Sequence, residues 1–378
     1  MMRIPYSHQS INTDDVAAVR QVLTSEWLTQ GPKVKEFEES LARYCGTRFA
    51  TVFSSGTAAL HAAYFATGLQ SGDEFITSPL TFAATANAGL YLGAKPVFAD
   101  IDEDGNLDPK KAARKITAKT KAIVVVDYAG NPAQLDTFRR LAKQHTLILI
   151  EDACHALGAT YKGRKIGSIS DLSVFSFHPV KSITTGEGGA VLTNSHSYCE
   201  KLELFRTHGI TKENMQNKTA LDGEWYYEMQ VLGFNYRLTD MQAALGISQL
   251  KRLDSFIQKR HRIAERYEKE FASCASLLTL PIRGEGTSRS ALHLYPVRFH
   301  EGEFARKRIF EALRKAGIGA QVHYIPVYWH PYYKELGYER GLCPRAEAFY
   351  RSVISLPLFP SLRPSDQMKV IRTVKKSL

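Results

Sequence analysis

An α/β fold built on a mainly parallel sheet is what this chain predicts, from two observations. Between Gly46 and His145, short apolar runs alternate with helical segments, each pair joined by a turn. That alternation lays helices on both faces of a parallel sheet. Further on, Leu147-Ile148-Leu149-Ile150 is an unbroken apolar run that stops abruptly at Glu151-Asp152. Strands buried on both faces read this way, and ligands sit beyond their carboxyl ends.

The elements follow in order. A first helix spans Thr13–Leu23, capped by Asn12 or Thr13, with Asp14 and Asp15 at the positive end of its dipole. A second begins at Pro32, suited to a first helical position, carries Phe37, Leu41 and Tyr44 on one face and stops at Gly46. The loop between them, Glu26-Trp27-Leu28-Thr29-Gln30-Gly31, is apolar and aromatic and is expected to pack. Phe49–Phe53 then leads through Ser54-Ser55-Gly56-Thr57 into an alanine-rich helix over 58–67, and Glu74–Thr77 through Ser78-Pro79 into a helix over 82–92. Strands at 97–100 and 122–126 precede helices at 108–116 and 135–145. From about Leu245 a long charged helix carries Leu250, Leu253, Ile257 and His261 at helical spacing. A strand at 292–299, a helix at 304–316 and the segment Gln321-Val322-His323-Tyr324 complete the pattern. Residues 1–245 are read as an N-terminal segment plus a large α/β domain, and 246–378 as a smaller C-terminal α+β domain.

With 378 residues, 44% hydrophobic and 23% charged, the composition is that of an ordinary soluble globular protein with a sizeable core. No apolar run approaches the roughly 20 residues needed to cross a bilayer, and Met1-Met2-Arg3-Ile4-Pro5-Tyr6 lacks an apolar export signal. Cys45, Cys154, Cys199, Cys274 and Cys343 are odd in number and form no C-x-x-C pair, which argues against a disulfide framework or a zinc site. A cytoplasmic protein with no metal and no membrane partner is expected. The net charge of +11 is spread along the chain and interleaved with acids, a basic surface rather than a nucleic-acid stripe.

The most specific chemistry lies in Ser176-Phe177-His178-Pro179-Val180-Lys181 and the Gly186-Glu187-Gly188-Gly189 that follows. Val174, Phe175 and Phe177 with Ser173 and Ser176 read as a strand entering a core, which sets Lys181 apart from the 49 lysines and arginines of the chain. Lys181 is the candidate Schiff-base lysine, since burial disfavours its ammonium form and frees the amine as a nucleophile. Asp152 faces a ligand if the strand end opens on one. Taken alone, an acid after a strand is more often a helix N-cap. The turn Ser54-Ser55-Gly56-Thr57 presents free N–H groups to an anion such as phosphate but lacks the Gly-Lys-Ser/Thr of a P-loop.

In order and spacing, Ser55-Gly56-Thr57, Glu151-Asp152-Ala153-Cys154-His155, Ser176-Phe177-His178 with Lys181, Glu187-Gly188-Gly189 and Asn235-Tyr236-Arg237 resemble the fold-type I, pyridoxal-phosphate-dependent nucleotide-sugar aminotransferases of the DegT-like group. The similarity covers nearly the whole chain. Tyr6, Leu28-Thr29-Gln30-Gly31, Val126-Asp127-Tyr128-Ala129-Gly130, Thr184-Thr185 and Gln321-Val322-His323-Tyr324 narrow it to the pseudaminic-acid branch. Trp27 and the Pro179-Val180 pair depart from that branch and bear on the exact sugar.

The resemblance implies an aspartate-aminotransferase-like fold with a seven-stranded large-domain sheet, pyridoxal 5'-phosphate as cofactor, L-glutamate as amino donor and a UDP-4-keto-6-deoxy sugar as acceptor. It implies Lys181 and Asp152 as catalytic groups, with Asp152 on the ring nitrogen, Phe82 stacked on the ring and His155 on its hydroxyl side. Gly56, Thr57, Ala58 and Ser176 would hold the phosphate, with Asn235 reaching in from the neighbouring subunit of a homodimer. Tyr6, Glu26, Trp27, Leu28, Thr29, Gly56, Ser176, Asn235, Gln321, Val322, His323 and Tyr324 would meet the substrate. For Phe82, core packing is the commoner fate of such a residue. The alternatives are a bacillosamine-type UDP-4-keto-sugar aminotransferase and a non-catalytic regulatory protein of the same fold.

Overall fold

Seven strands form one sheet: β1 Phe49–Phe53, β2 Glu74–Thr77, β3 Lys95–Phe98, β4 Thr120–Val126, β5 Ile148–Asp152, β6 Leu172–Ser176 and β7 Gly189–Thr193. In this computed structural model, which describes residues 3–378, they lie in the order β1-β7-β6-β5-β4-β2-β3. Met1 and Met2, the start of the stretch read for an export signal, lie outside the described residues. The sheet is parallel from β6 through β5, β4 and β2 to β3, and only β7 runs against its two neighbours.

Both faces of the sheet are apolar, which is why its strands read as continuous runs rather than as alternations. Val52, Ile76, Ile123, Val125, Leu149 and Phe175 point into one core, and Phe53, Phe75, Val124, Ile150, Val174 and Val191 into the other. Because side chains alternate along a strand, Asp152 and Ser176 share the face of Ile150 and Val174, whereas Glu151 shares that of Leu149. The cleft opens on the first of these faces. There it meets the alanine-rich helix Gly56–Ala66, which packs directly on β6 and β7.

The N-terminal helices Thr13–Leu23 and Pro32–Cys45 form as read: Asn12 closes a capping box with Asp15, and Gly46 stops the second helix at φ 73°. Both pack on the helix Asp240–Leu250. The single long helix expected from Leu245 is two helices, Asp240–Leu250 and Leu253–Phe271, broken at Lys251 and Arg252. The first starts earlier than expected because Thr239 and Gln242 form a capping box, a signal present in the sequence. Helices expected over 82–92 and 108–116 are shorter, Ala84–Leu90 and Pro109–Ala113, and the strand expected at 97–100 is Lys95–Phe98, paired residue for residue with Glu74–Thr77.

A second sheet joins Leu278–Thr279, Tyr295–Phe299 and Val353–Leu356. Its core contains Tyr267, Tyr295, Val297, Ile309, Ile354 and Val370, together with Ile4 from the start of the chain. The helix Leu253–Phe271 passes from one core to the other: Leu253 and Ile257 belong to the large-sheet core, Ile263 and Tyr267 to the second. Of the segment 321–324, only Gln321 makes a strand-like bridge, to Ser355. Among the described residues no helix is long and apolar enough to cross a membrane, and no cluster of three metal-ligating side chains occurs.

Candidate active site

The carboxyl ends of β5 and β6 open into a cleft of ≈ 350 Å³ whose wall includes Lys181, Asp152, Phe82, His155, Ser176 and Tyr324. Lys181 sits in the loop between β6 and β7, which is built by its own backbone. The Phe177 N–H donates to the Gly188 carbonyl at 2.8 Å, the Thr185 N–H to the Phe177 carbonyl at 3.0 Å, and the Lys181 N–H to the His178 carbonyl at 2.9 Å. Gly186, at φ 82°, supplies the left-handed residue that lets this loop turn back toward β7. Lys181 is half-buried, and desolvation holds its amine below the ordinary lysine value, against the attraction of Cys154 and Asp152.

Asp152 is buried, and its two oxygens do different work. Oδ1 accepts the Cys154 N–H at 3.2 Å, which fixes the turn after β5, and Oδ2 accepts the Thr85 hydroxyl at 2.6 Å. Thr85 Oγ1 lies 2.7 Å from Thr81 Oγ1, so a hydroxyl chain from the start of Ala84–Leu90 orients the carboxylate. The N-cap reading for Asp152 does not hold, because five residues of turn rather than a helix follow it.

At the other end of the cleft, Ser55 caps Gly56–Ala66 by accepting the Ala58 N–H at 3.0 Å. The first-turn N–H groups of Gly56 and Thr57 have no partner within the helix and point outward, the arrangement that binds phosphate. Gly56 is required by close approach: a Cβ there would lie 2.9 Å from Ser176 Cβ, and one at Gly189 would lie 2.5 Å from the Ser55 carbonyl. Strand ends and helix start are thus pressed together around a small anion-sized concavity.

The remaining wall comes from distant parts of the chain. Tyr324 Oη and His155 Nε2 are 3.1 Å apart. Burial raises the Tyr324 hydroxyl far above its usual range and, with the Lys181 charge, depresses His155, so both are neutral at physiological pH. His155 Nδ1 is buried without a protein partner, and it carries the imidazole proton in the tautomer in which the Tyr324 hydroxyl donates to Nε2. An unsatisfied buried donor costs about 1–3 kcal/mol, so this orphan fits a ligand acceptor. His293, whose ring centroid is 4.3 Å from that of His155, also has an unpartnered Nδ1. His323 Nδ1 is 2.8 Å from Ser355 Oγ, and its carbonyl accepts the Tyr128 hydroxyl at 2.7 Å. Tyr6 packs against the His323 ring at 5.7 Å.

Phe82 is 63% exposed, so it is not a core residue. Its ring borders the cleft and lies 6.4 Å from that of Tyr324. The cleft offers a carboxylate at Asp152, a flat apolar face at Phe82, an unpartnered polar atom at His155 Nδ1 and free N–H groups at Gly56 and Thr57, a set that would suit the ring and the phosphate of pyridoxal phosphate, with Lys181 present to bond its aldehyde.

Of the residues named from sequence, Lys181, Asp152, Gly56, Thr57, Phe82, His155, Ser176, Tyr6, His323 and Tyr324 line this cleft, and Ala58 lies one helical position behind it. The others lie outside it in this chain. Asn235 is exposed and bridges to Thr207. The loop of Glu26, Trp27, Leu28 and Thr29 is tied to the start of the helix Asp240–Leu250, where the Asp240 N–H donates to the Leu28 carbonyl at 3.0 Å, and Trp27 is 54% exposed. Gln321 is exposed beside Ser355, and Val322 faces a different groove, with Phe304 and Arg306. Thr85 and His293 were missed. The i, i+4 spacing of Thr81 and Thr85 was a usable signal for the first. Nothing local marks His293.

A family model described as the DegT/DnrJ/EryC1/StrS aminotransferase family matches residues 9–375. The UDP-4-amino-4,6-dideoxy-N-acetyl-beta-L-altrosamine transaminase of Campylobacter jejuni subsp. jejuni serotype O:23/36 is 45% identical over 367 residues, 96% of this chain and 94% of that protein. Among solved structures, Helicobacter pylori PseC, an aminotransferase involved in the biosynthesis of pseudoaminic acid, superposes with a TM-score of 0.91 at 38% identity, covering 99% of this chain and 98% of its own. Spr1654 from Streptococcus pneumoniae, solved in a PLP form, superposes with a TM-score of 0.92 at 31% identity over 99% of each chain.

Proposed function

This chain belongs to the DegT/DnrJ/EryC1/StrS family of PLP-dependent sugar aminotransferases, and from that premise we propose that it transfers an amino group from L-glutamate to C4 of UDP-2-acetamido-2,6-dideoxy-β-L-arabino-hex-4-ulose. The product would be UDP-4-amino-4,6-dideoxy-N-acetyl-β-L-altrosamine. The observation that carries the sugar assignment is the 45% identity, across 96% of this chain, to a transaminase of that name.

When bound, pyridoxal phosphate supplies an electron sink for the carbanion formed next to the migrating nitrogen. The protein's part is positioning and proton transfer. Thr57 and Ser176 with the Gly56–Ala66 N-terminus would hold the phosphate, Phe82 would cover the ring, and His155 Nδ1–H would donate to its hydroxyl oxygen. Asp152, oriented by Thr85, would keep the ring nitrogen protonated. Lys181 Nζ, below its ordinary basicity, would carry the proton to and from the substrate carbon in each half of a ping-pong cycle. Tyr6, His323 and Tyr324 would form the sugar side of the cleft.

The same reading includes a homodimer with shared sites. Asn235 is exposed on a segment that also exposes Leu221, Trp225, Met229 and Leu232, an apolar surface of the kind that a second copy covers. There Asn235, with Glu26, Trp27, Leu28, Thr29, Gln321 and Val322, would reach a partner's cleft or the outer parts of the nucleotide sugar. The five free cysteines support a cytoplasmic setting. NMR of the product formed from the β-L-arabino 4-keto sugar and glutamate tests the assignment. A 4-amino β-L-altro product at high turnover is expected. Turnover confined to the D-configured 4-keto sugar would move the chain to the bacillosamine-type alternative.

A further inference from the structure

Behind Asp152, on the opposite face of the sheet, lie two carboxyls that the chemistry above does not use. Asp127 follows the end of β4 and Glu151 is the penultimate residue of β5; both are 0% exposed. Val125 is paired with Glu151 and Val126 with Asp152, so Asp127 and Glu151 share the face of Val125 and Leu149 while Asp152 points the other way. Each has one oxygen on a donor: Asp127 Oδ1 accepts the Ala133 N–H at 2.9 Å, and Glu151 Oε2 accepts the Ser173 hydroxyl at 2.6 Å. The other two oxygens, Asp127 Oδ2 and Glu151 Oε1, are buried without a formed hydrogen bond, and the one further donor beside Glu151 is the Ser170 hydroxyl, itself buried and unpartnered. The two side chains are within hydrogen-bonding reach of each other, but two carboxylates have no hydrogen to place between them.

We propose that Asp127 and Glu151 share a single proton, Asp127 Oδ2 donating to Glu151 Oε1, and that this pair is the positioning device that holds the strand end presenting Asp152 to the cleft. One proton satisfies both orphan oxygens at once and leaves a single buried negative charge where two ions would repel. Burial first, and the charge of Glu151 second, push the Asp127 carboxyl far above the ordinary carboxylate range; burial raises Glu151 as well. The other titratable groups near the pair are Asp152, whose charge acts on Asp127 from the opposite face and adds to the repulsion, and Cys45 on the same side, whose thiol burial pushes up to about 12 and so keeps neutral. The mechanical link is direct, for the Asp127 N–H donates to the Asp152 carbonyl at 3.2 Å and Glu151 is its chain neighbour. Asp127 ties that strand end to the turn at Ala133, and Glu151 ties it to β6.

The positioning role rests on the reading of Asp152 as the ring partner; the shared proton does not. Infrared spectra of the holoenzyme at pH 8, with and without ¹³C-labelled aspartate, test the proton. A protonated-carboxyl C=O band that shifts with the label and disappears in Asp127→Asn is expected, and its absence from the wild type, or its survival in Asp127→Asn, overturns the proposal. Asp127→Asn keeps a donor toward Glu151, so it should retain bound cofactor and stay within about threefold of wild-type kcat. Asp127→Leu removes the donor and should weaken cofactor retention tenfold or more. If Asp127→Asn loses the cofactor and kcat as severely as Asp127→Leu, the shared hydrogen bond is not what positions Asp152. If Asp127→Leu does not fold, the infrared result and the Asp127→Asn rescue still decide the question.

Discussion

Replacing Thr85 by valine keeps the shape of a buried side chain and removes one hydrogen bond, the 2.6 Å donation to Asp152 Oδ2. Both partners are buried, at 1% and 5% exposure, so water does not replace the lost donor. The other oxygen of Asp152 keeps the Cys154 N–H, so the carboxylate stays at the strand end but loses the contact that fixes the direction of Oδ2. A hydrogen bond to a charged group is worth about 1.5–3 kcal/mol. If Asp152 stabilises a cationic ring in the transition state, the loss falls on kcat/KM as roughly a 10- to 150-fold decrease. Steady-state kinetics of Thr85→Val, with absorbance to confirm bound cofactor and Thr85→Ser as the restoring variant, measure it. A Thr85→Val enzyme that binds cofactor and turns over within twofold of wild type would refute the reasoning that Asp152 depends on this hydroxyl.

Three further outcomes are expected. Lys181→Ala should fold, bind pyridoxal phosphate only reversibly and lose transamination together with the borohydride-trappable linkage; full turnover by this variant would remove Lys181 from the chemistry. If Asn235 serves the partner's site, mixing inactive Lys181→Ala with inactive Asn235→Ala subunits should recover activity in the hybrid, whose one intact site draws Lys181 and Asn235 from different chains. Persistent inactivity after subunit exchange would count against the shared site. Stability should fall as pH drops below 6.5, because His155, His293 and His323 are held neutral by burial. The unfolded chain takes up protons near 6.5 that the folded chain refuses, down to about 3 for His323, so the folded state loses ground across that window. Denaturant midpoints measured against pH should show a shallower slope in His323→Gln, and an unchanged slope would exclude His323 as a contributor.

The strands, the helix starts and the residues at strand ends were legible from sequence because their signals are local. Apolar runs mark buried strands, Pro32 and Gly46 mark helix ends, and the abrupt end of such a run marks the edge of a parallel sheet where ligands sit. Lys181, Asp152, Gly56, Thr57 and Ser176 were singled out from such signals and all line the cleft, while the roles proposed for them come from the resemblance. Phe82 came from the resemblance alone, since composition favours burying a phenylalanine and only the fold leaves it exposed.

What tertiary structure decided is which side chains face one another across the cleft. Thr85 reaches Asp152 over 67 residues of chain, Tyr324 reaches His155 over 169, and His293 comes to rest beside His155. Sheet order and the packing of the second core bring these groups together, and no periodicity within a segment encodes such an encounter. The same holds for the proton assigned to Asp127 and Glu151. Each residue reads as an ordinary acid in sequence, and only their burial at the ends of adjacent strands, with one oxygen apiece unpartnered, makes the pair a single chemical unit.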